Sequence, residues 1–193
     1  YSGRNGLTMI FARESIRLAA KYLVRCYENG GDVEARVGMC YASVYAAMSY
    51  GSAGLNAVHG IAYGVAALTH KSHGATNAVV LPYVIDALTH SRRAELLEVA
   101  RLFGIDTSDE DQAVRALPRA LRDLVGRLGI PTDLDAFGVA QASLDHLLAD
   151  SLGVTRLAKA FPVGNIEASY AQIIDNAWRG ALRDEKAERL SAA

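Results

Sequence analysis

Apolar residues recur at intervals of three and four along almost the whole 193-residue chain, and this helical periodicity restricts the fold more than any other feature. No run of alternating β-branched residues predicts a strand, and no internal repeat or change of composition marks a domain boundary. Hydrophobic residues make up 51% of the chain and charged residues 21%, which is typical of a globular protein. The sequence therefore predicts one all-α domain over residues 1–193, with seven or eight helices around one core.

Glycine, proline and capping residues indicate where these helices begin and end. The glycines at 30–31 end the first helix because glycine accepts the left-handed C-cap geometry, and Asp32 is placed to cap the second. A loop over 69–74 separates the third helix from the fourth, in which Pro82 is expected to introduce a kink. The predicted helices cover residues 7–28, 33–50, the stretch between 54 and 69, 75–90, 91–103, 109–128, 140–152 and 166–190.

Charge and cysteine content exclude several classes of function. The formal net charge is −1, and basic and acidic residues alternate along the helices, so we expect no nucleic-acid partner. No stretch reaches the ~18 uncharged apolar residues that a membrane span needs, so we expect no membrane partner. The two cysteines, Cys26 and Cys40, form no C-x-x-C motif, and reduced thiols in a cytoplasmic protein are the simpler interpretation. The sequence leaves open whether the protein forms a homo-oligomer.

One segment gathers three of the five histidines. Residues 58–74, VHGIAYGVAALTHKSHG, contain His59, His70 and His73 together with Tyr63. Taken singly, each histidine is more often a surface or core residue than a ligand. However, His59 and Tyr63 share a helix face, and the following loop can fold back to bring His73 over that helix. Imidazole binds zinc and iron, so a metal site is the sharper hypothesis. The glycines between these residues indicate either close helix packing or room for a ligand.

A longer string gives the histidines a family context. Residues 54–84, GLNAVHGIAYGVAALTHKSHGATNAVVLPYV, resemble the signature of the iron-dependent (group III) alcohol dehydrogenases, which runs G-L-x-x-x-H-G, then H-G, N-A and L-P-x-V. DVEARVGMCYAS upstream and IIDNAW near the end also resemble that family. The matching residues are Gly54, Leu55, His59, Gly60, His73, Gly74, Asn77, Ala78, Leu81, Pro82 and Val84.

The resemblance implies the helical half of a two-domain dehydrogenase. In that family four side chains hold a divalent metal, Fe(II) or Zn(II), and His59 and His73 match the last two. The other two ligands, an Asp and a His from a D-x-x-x-H helix, are expected just ahead of residue 1. The α/β domain that binds NAD or NADP is expected before them. This chain has neither G-x-G-x-x-G after a strand nor G-x-x-x-x-G-K-[ST], so no cofactor-binding residue is predicted in it.

The resemblance also suggests three further site residues. Tyr63 stands where many members carry a second histidine that is thought to help proton transfer. The resemblance therefore implies a catalytic role for Tyr63, but not one as a histidine proton relay. Tyr50 falls where the family places an apolar wall of the substrate pocket, and Phe161 is a second candidate for such a wall. His70 has no family role and is expected on the loop surface, with the rim of the active site as the alternative.

Asp86 and His90 also have the D-x-x-x-H form, but they follow the motif instead of preceding it. In a helix rising 1.5 Å per residue, Asp86 lies about 16 Å along the axis from residue 75. Ligands of one metal ion all lie within about 2 Å of it, so this pair is not a metal site. We expect Asp86 and His90 to form an ordinary exposed helix pair.

The sequence thus predicts the C-terminal part of a metal-dependent oxidoreductase that interconverts an alcohol with an aldehyde or ketone, using NAD(P) and a small alcohol or aldehyde substrate. The chain by itself is expected to be inactive. One alternative is a non-catalytic helical fragment or scaffold that retains the motif. Another is a metal hydrolase built from His59, His70 and His73, although no acidic partner lies near them in sequence to act as general base.

Overall fold

The structure is a computed structural model that describes residues 3–183. These residues form nine α-helices and one short 3-10 helix, with no strand among them. The all-α prediction is confirmed, and the helix beyond the predicted eight is the short α8. The helices are α1 (Gly6–Glu28), α2 (Val33–Ala53), α3 (Ala57–Thr69), α4 (His73–Ala87), α5 (Arg93–Leu102), α6 (Glu110–Arg127), α7 (Leu144–Gly153), α8 (Thr155–Lys159) and α9 (Ile166–Arg179), with the 3-10 helix at Gln141–Ser143.

The first two helices form a hairpin with its own small core. Asn5 caps α1 by accepting hydrogen bonds from the backbone of Leu7 and Thr8, and Asp32 caps α2 by accepting one from Ala35 at 3.0 Å. Arg25, in the last turn of α1, lies 2.8 Å from the Asp32 carboxylate, which holds the connection between the two helices. The buried residues between α1 and α2 are Leu18, Tyr22, Ala35 and Ala42.

The main core lies among α3, α4, α6, α7 and α9, which contact one another directly. Its largest side chains, such as Tyr83, Leu117, Leu147 and Tyr170, are at most 1% exposed. The segment between α6 and the 3-10 helix runs along α9, and its Leu134 N–H donates to an α9 carbonyl at 2.9 Å. The core therefore fixes the positions of α3 and α4, the two helices that carry the histidine motif.

Several helix ends differ from the prediction by a few residues or more, and two of them have a clear local cause. α4 begins at His73, not at 75, because the Ser72 hydroxyl caps it by accepting from Ala75 N–H at 3.4 Å, and it continues past Pro82 to Ala87. α9 ends at Arg179 instead of near 190, because Gly180 adopts the left-handed conformation with φ of 65°. The remainder of the predicted last helix, residues 184–190, lies outside the described residues.

The prediction that Asp86 and His90 form an exposed helix pair is wrong. Asp86 is only 5% exposed, and its carboxylate accepts the backbone N–H of Arg183 at 3.1 Å. His90 lies beyond the end of α4, in an exposed turn. Asp86 is thus a structural joint that ties α4 to the chain following α9, and burial of its carboxylate is compensated by these partners.

We predict opposite effects of one substitution at two glycines of α2. A Cβ at Gly38 would lie 2.2 Å from Cδ2 of the Tyr22 ring, whereas a Cβ at Gly51 meets nothing within 4 Å. Overpacking costs about 1–3 kcal/mol, so Gly38→Ala should lower the free energy of unfolding despite its better helix propensity. Gly51→Ala should raise it by up to ~1 kcal/mol. Urea denaturation of both variants measures this, and equal effects would contradict the close α1–α2 contact.

Candidate metal centre

His59 and His73 come together in space although fourteen residues separate them. His59 is the third residue of α3, and His73 is the first residue of α4. Their ring centroids lie 5.2 Å apart with an interplanar angle of 56°. His59 is half-buried and His73 is exposed. The two imidazoles therefore point to one place on the surface, as the metal hypothesis requires.

A sharp reversal of the chain after α3 makes this meeting possible. His70 adopts the left-handed conformation (φ 53°) and is the one non-glycine residue with positive φ among those described. Residues 70–72 then run back along α3 before Ser72 starts α4. The expectation that this loop folds back over the helix is confirmed.

Tyr63 lies beside both histidines. It is one turn after His59, and the centroids of these two rings are 6.3 Å apart. Its ring stacks on His73, with the centroids 5.6 Å apart and the planes 14° from parallel. At 43% exposure it remains open to solvent. The three aromatic rings form one cluster, so Tyr63 is positioned to support the His73 ring and to offer its hydroxyl at the site.

The environment of His59 favours its neutral form. Burial lowers the pKa of His59 below its usual value, and the nearby charge of His73 lowers the pKa further. A metal binds the unprotonated imidazole, so a depressed pKa leaves the lone pair available near neutral pH. Two imidazoles on one surface are a donor set that fits iron or zinc.

The cluster contains no third ligand among residues 3–183, where no group of three or more His, Cys, Asp or Glu side chains is placed to hold a metal. In particular, His70 does not join His59 and His73. A hydrolase built on these three histidines therefore lacks its site. The assignment of His59 and His73 as half of a four-ligand metal centre stays a prediction.

Asn77 contacts His73 in a way that sequence reasoning did not anticipate. Its side-chain Nδ2 donates to the backbone carbonyl of His73 at 2.7 Å and lies 3.2 and 3.1 Å from the two ring nitrogens. The motif had marked Asn77 only as a family match. Its spacing of four residues from His73 within one helix was the available signal. Because an amide NH2 group is a donor, it can pair only with the unprotonated ring nitrogen of His73.

The glycines between the histidines serve close helix packing. A Cβ at Gly64 would lie 2.6 Å from Leu147 of α7, and one at Gly60 would lie 3.3 Å from the Tyr170 hydroxyl of α9. Both glycines are buried on the side of α3 that faces the core. The suggestion that they leave room for a ligand is not supported, and substrate space must be sought elsewhere.

A cavity of about 430 Å³ opens next to His59. Tyr50, predicted as a pocket wall, lines it and is 41% exposed. Phe161, the other predicted wall, lies in the core with 3% exposure and packs edge-on against Tyr170. Its neighbours Ala160 and Pro162 line the cavity instead. The remaining lining residues are Arg4, Met9, Ala12, Leu55, Asn56, Val58, Leu81, Ile85, Leu88, Arg92, Glu95, Leu96 and Val99.

Comparison with known proteins places this site in a family. The sequence model described as "Fe-containing alcohol dehydrogenase family, C-terminal" matches residues 2–177. The chain belongs to the iron-containing alcohol dehydrogenases. Similar curated members include Long-chain-alcohol dehydrogenase 1 of Geobacillus thermodenitrificans, with 31% identity over 170 residues, covering 87% of this chain and 43% of that protein. Another is the mitochondrial hydroxyacid-oxoacid transhydrogenase of Bos taurus, with 30% identity over 190 residues, covering 91% of this chain and 41% of the relative.

Solved structures of the family share the fold. A 1,3-propanediol oxidoreductase superposes with a TM-score of 0.85 at 28% identity, covering 91% of this chain and 46% of that one. An alcohol dehydrogenase from Oenococcus oeni gives the same TM-score at 24% identity, which supports the fold alone. The chain spans less than half the length of these relatives. The similarity confirms that the nine helices correspond to the helical C-terminal domain of iron-containing alcohol dehydrogenases.

We predict that NMR titration will place the pKa of His59 below the usual histidine value of about 6.5. His73→Gln should raise it part of the way by removing the neighbouring charge, but not fully, because burial is the larger cause. His90→Gln, in the exposed turn, is the matched control and should leave the pKa of His59 unchanged.

The same depressed pKa should make stability depend on pH. The folded state favours neutral His59, so this contribution to stability is present above about pH 6.5 and is lost as the pH falls through the folded-state pKa. Urea denaturation at several pH values should show a shallower acid decline for His59→Gln than for the unsubstituted chain. An identical decline would mean that His59 titrates as a solvated residue.

Proposed function

We propose that this chain is the helical part of a metal-dependent oxidoreductase that interconverts an alcohol with an aldehyde or ketone, using NAD or NADP. The observation that carries the proposal is the pair of imidazoles, His59 and His73, whose rings lie 5.2 Å apart beside a largely apolar cavity. Membership of the iron-containing alcohol dehydrogenases supports a metal and a nicotinamide cofactor. Among residues 3–183 no helix has the length and apolar content to cross a membrane. We also propose a cytoplasmic location, because Cys26 and Cys40 form no disulfide.

His59 and His73 would hold the metal, Fe(II) or Zn(II), through their neutral ring nitrogens. When bound, the ion supplies Lewis-acid polarisation of the substrate oxygen. Tyr63 would keep the His73 ring in place by stacking on its face, and the Asn77 amide, hydrogen-bonded to the His73 backbone carbonyl, would stay beside the ring. The Tyr63 hydroxyl is free to donate a hydrogen bond to a substrate oxygen beside the two imidazoles.

The cavity would receive the carbon chain of the substrate. Apolar side chains from several helices and from the segments between them supply most of its wall, and they would exclude water from the reacting group. Its charged residues are paired: Glu95 lies 3.0 Å from Arg4 and 3.7 Å from Arg92. We therefore propose an alkyl alcohol or the corresponding aldehyde as the substrate class. Tyr50, on the exposed part of the wall, would contact the substrate next to His59.

A non-catalytic scaffold is the second candidate, favoured by one observation. Only two potential ligands converge in the described part of the chain, and two histidines alone bind a divalent ion weakly. Hydride transfer also requires a nicotinamide held against the substrate, and we propose that a further part of the protein, an α/β domain, provides this. The two candidates differ in whether the longer protein retains a metal and turns over an alcohol.

We expect His59→Ala and His73→Ala, each introduced into the full-length protein, to lose the metal while keeping the helical fold. Removing a residue that orients a metal ligand lowers the metal affinity roughly tenfold to a hundredfold. Removing a ligand itself should lower the affinity at least as much. Metal content after dialysis, circular dichroism and reduction of NAD or NADP with short alcohols are measured together. His90→Ala, in the exposed turn, should behave as the unsubstituted protein. Retention of metal by both histidine variants would refute the site, and unfolding of either would mark that histidine as structural.

The 193-residue chain alone is expected to fold but not to oxidise alcohols, even with added iron or zinc. Orientation of two reactants is worth about 7–11 kcal/mol of a reaction barrier, and this chain has no nucleotide-phosphate loop to orient a nicotinamide. Purified chain, metal, cofactor and a panel of alkyl alcohols make up the assay. Turnover like that of an ordinary dehydrogenase would show that the cofactor site lies within these residues.

A further inference from the structure

Lys71, in the loop between the two histidines, makes a contact far from its own position in the sequence. Its ammonium Nζ donates to the backbone carbonyl of Phe137 at 2.6 Å. The same Nζ lies 4.1 Å from the centroid of the Phe137 ring, over its face. The ammonium is thus held by a charge-assisted hydrogen bond and by a cation–π interaction with one residue.

The residue that receives this contact is firmly fixed. Phe137 is 1% exposed, and its backbone N–H donates to Asp133 at 3.0 Å. The segment around it is tied to α9 on both sides: Leu134 N–H donates to Ala177 at 2.9 Å, and the Trp178 indole donates to Val139 at 3.0 Å. Phe137 therefore offers Lys71 an anchor that belongs to the main core.

The other hydrogen bonds of the loop are local. His70 N–H bonds back to Ala66 in α3 at 2.8 Å, and Ser72 accepts from Ala75 and Thr76 at the start of α4. These bonds fix where α3 ends and where α4 begins. They do not hold the 70–72 loop against the core, so that task falls to other contacts. Lys71 stands at the middle of the loop, two residues before His73, where such a contact has most effect.

We propose that Lys71 is a positioning residue for the metal centre: by tying the 70–72 loop to Phe137, it holds His73 at the correct distance from His59. This inference rests on the proposed function, because it assumes that the two histidines share a metal. The Lys71 ammonium contacts Phe137, so the role assigned to it is positioning and not ligation. Its role is to keep the ligand pair preorganised, so that binding does not have to order the loop first.

The test uses three variants of the chain. Lys71→Met keeps the length of the side chain and removes its charge and donors, and Lys71→Arg restores both. Lys159→Met makes the same change at an exposed lysine at the end of α8 and serves as the matched control. Zn(II) affinity is measured by competition with a chromophoric chelator. The proximity of the His59 and His73 rings in the metal-free chain is measured by the nuclear Overhauser effect, and thermal unfolding reports on the fold.

Lys71→Met should weaken Zn(II) binding about tenfold, the lower end of the range for partners that orient a ligand. It should also weaken the Overhauser effect between the rings of His59 and His73, with little change in unfolding temperature. Lys71→Arg should recover both quantities, and Lys159→Met should match the unsubstituted chain. A purely structural role would lower the unfolding temperature and change the two site measurements only through loss of fold.

Failure of this inference is separable from failure of the proposed function. If neither the chain nor the full-length protein binds Zn(II), yet the ring proximity still depends on Lys71, the metal function is in error and the positioning role stands. If the chain binds Zn(II), and neither affinity nor ring proximity changes in Lys71→Met, the positioning role is overturned. The same holds if Lys159→Met produces changes of equal size.

Discussion

The candidate site depends on how closely α3 packs against the helices behind it. Gly60 and Gly64 bring its backbone near Leu147 and Tyr170, at distances that a methyl group at residue 64 would make impossible without displacement of Leu147. Successive helical residues are about 100° apart, so a helix that buries residues 60 and 64 turns His59 roughly 100–140° away from that buried face. The packing that stabilises the core therefore also fixes the direction in which the first imidazole points.

The second imidazole depends on a different constraint, the reversal of the chain at His70. A non-glycine residue in the left-handed conformation costs roughly 1–2 kcal/mol, and here it places the next three residues back along α3. Tyr63 stacks on His73 from one side, and Asn77 contacts it from its own helix. The strained residue His70 thus lies three positions before His73, whose ring is held by several contacts. Backbone strain of this kind is common near functional sites.

Local patterns in the sequence predicted most of the helices, because periodicity and capping act over a few residues. The family motif also identified His59 and His73, since their spacing of fourteen residues is itself the signal. What could not be predicted depends on contacts between distant residues. Burial of Asp86 requires Arg183, 97 residues away, and the Lys71 anchor requires Phe137, 66 residues away. The role of the glycines required knowledge of which face of α3 meets α7.

The two imidazoles alone do not select a metal, because imidazole accepts zinc, iron and other divalent ions alike. Selection must then come from the ligands that complete the coordination, which lie outside the pair that this surface supplies. His59 and His73 contribute a fixed arrangement of two rings. The packing of α3 fixes the position of His59, and the 70–72 loop fixes the position of His73. A preorganised pair with a depressed pKa at His59 loses little free energy to ordering or to proton release when an ion binds. In the function proposed above, His59 and His73 would therefore influence how tightly and at what pH a metal is held, and the remaining ligands would decide which metal it is.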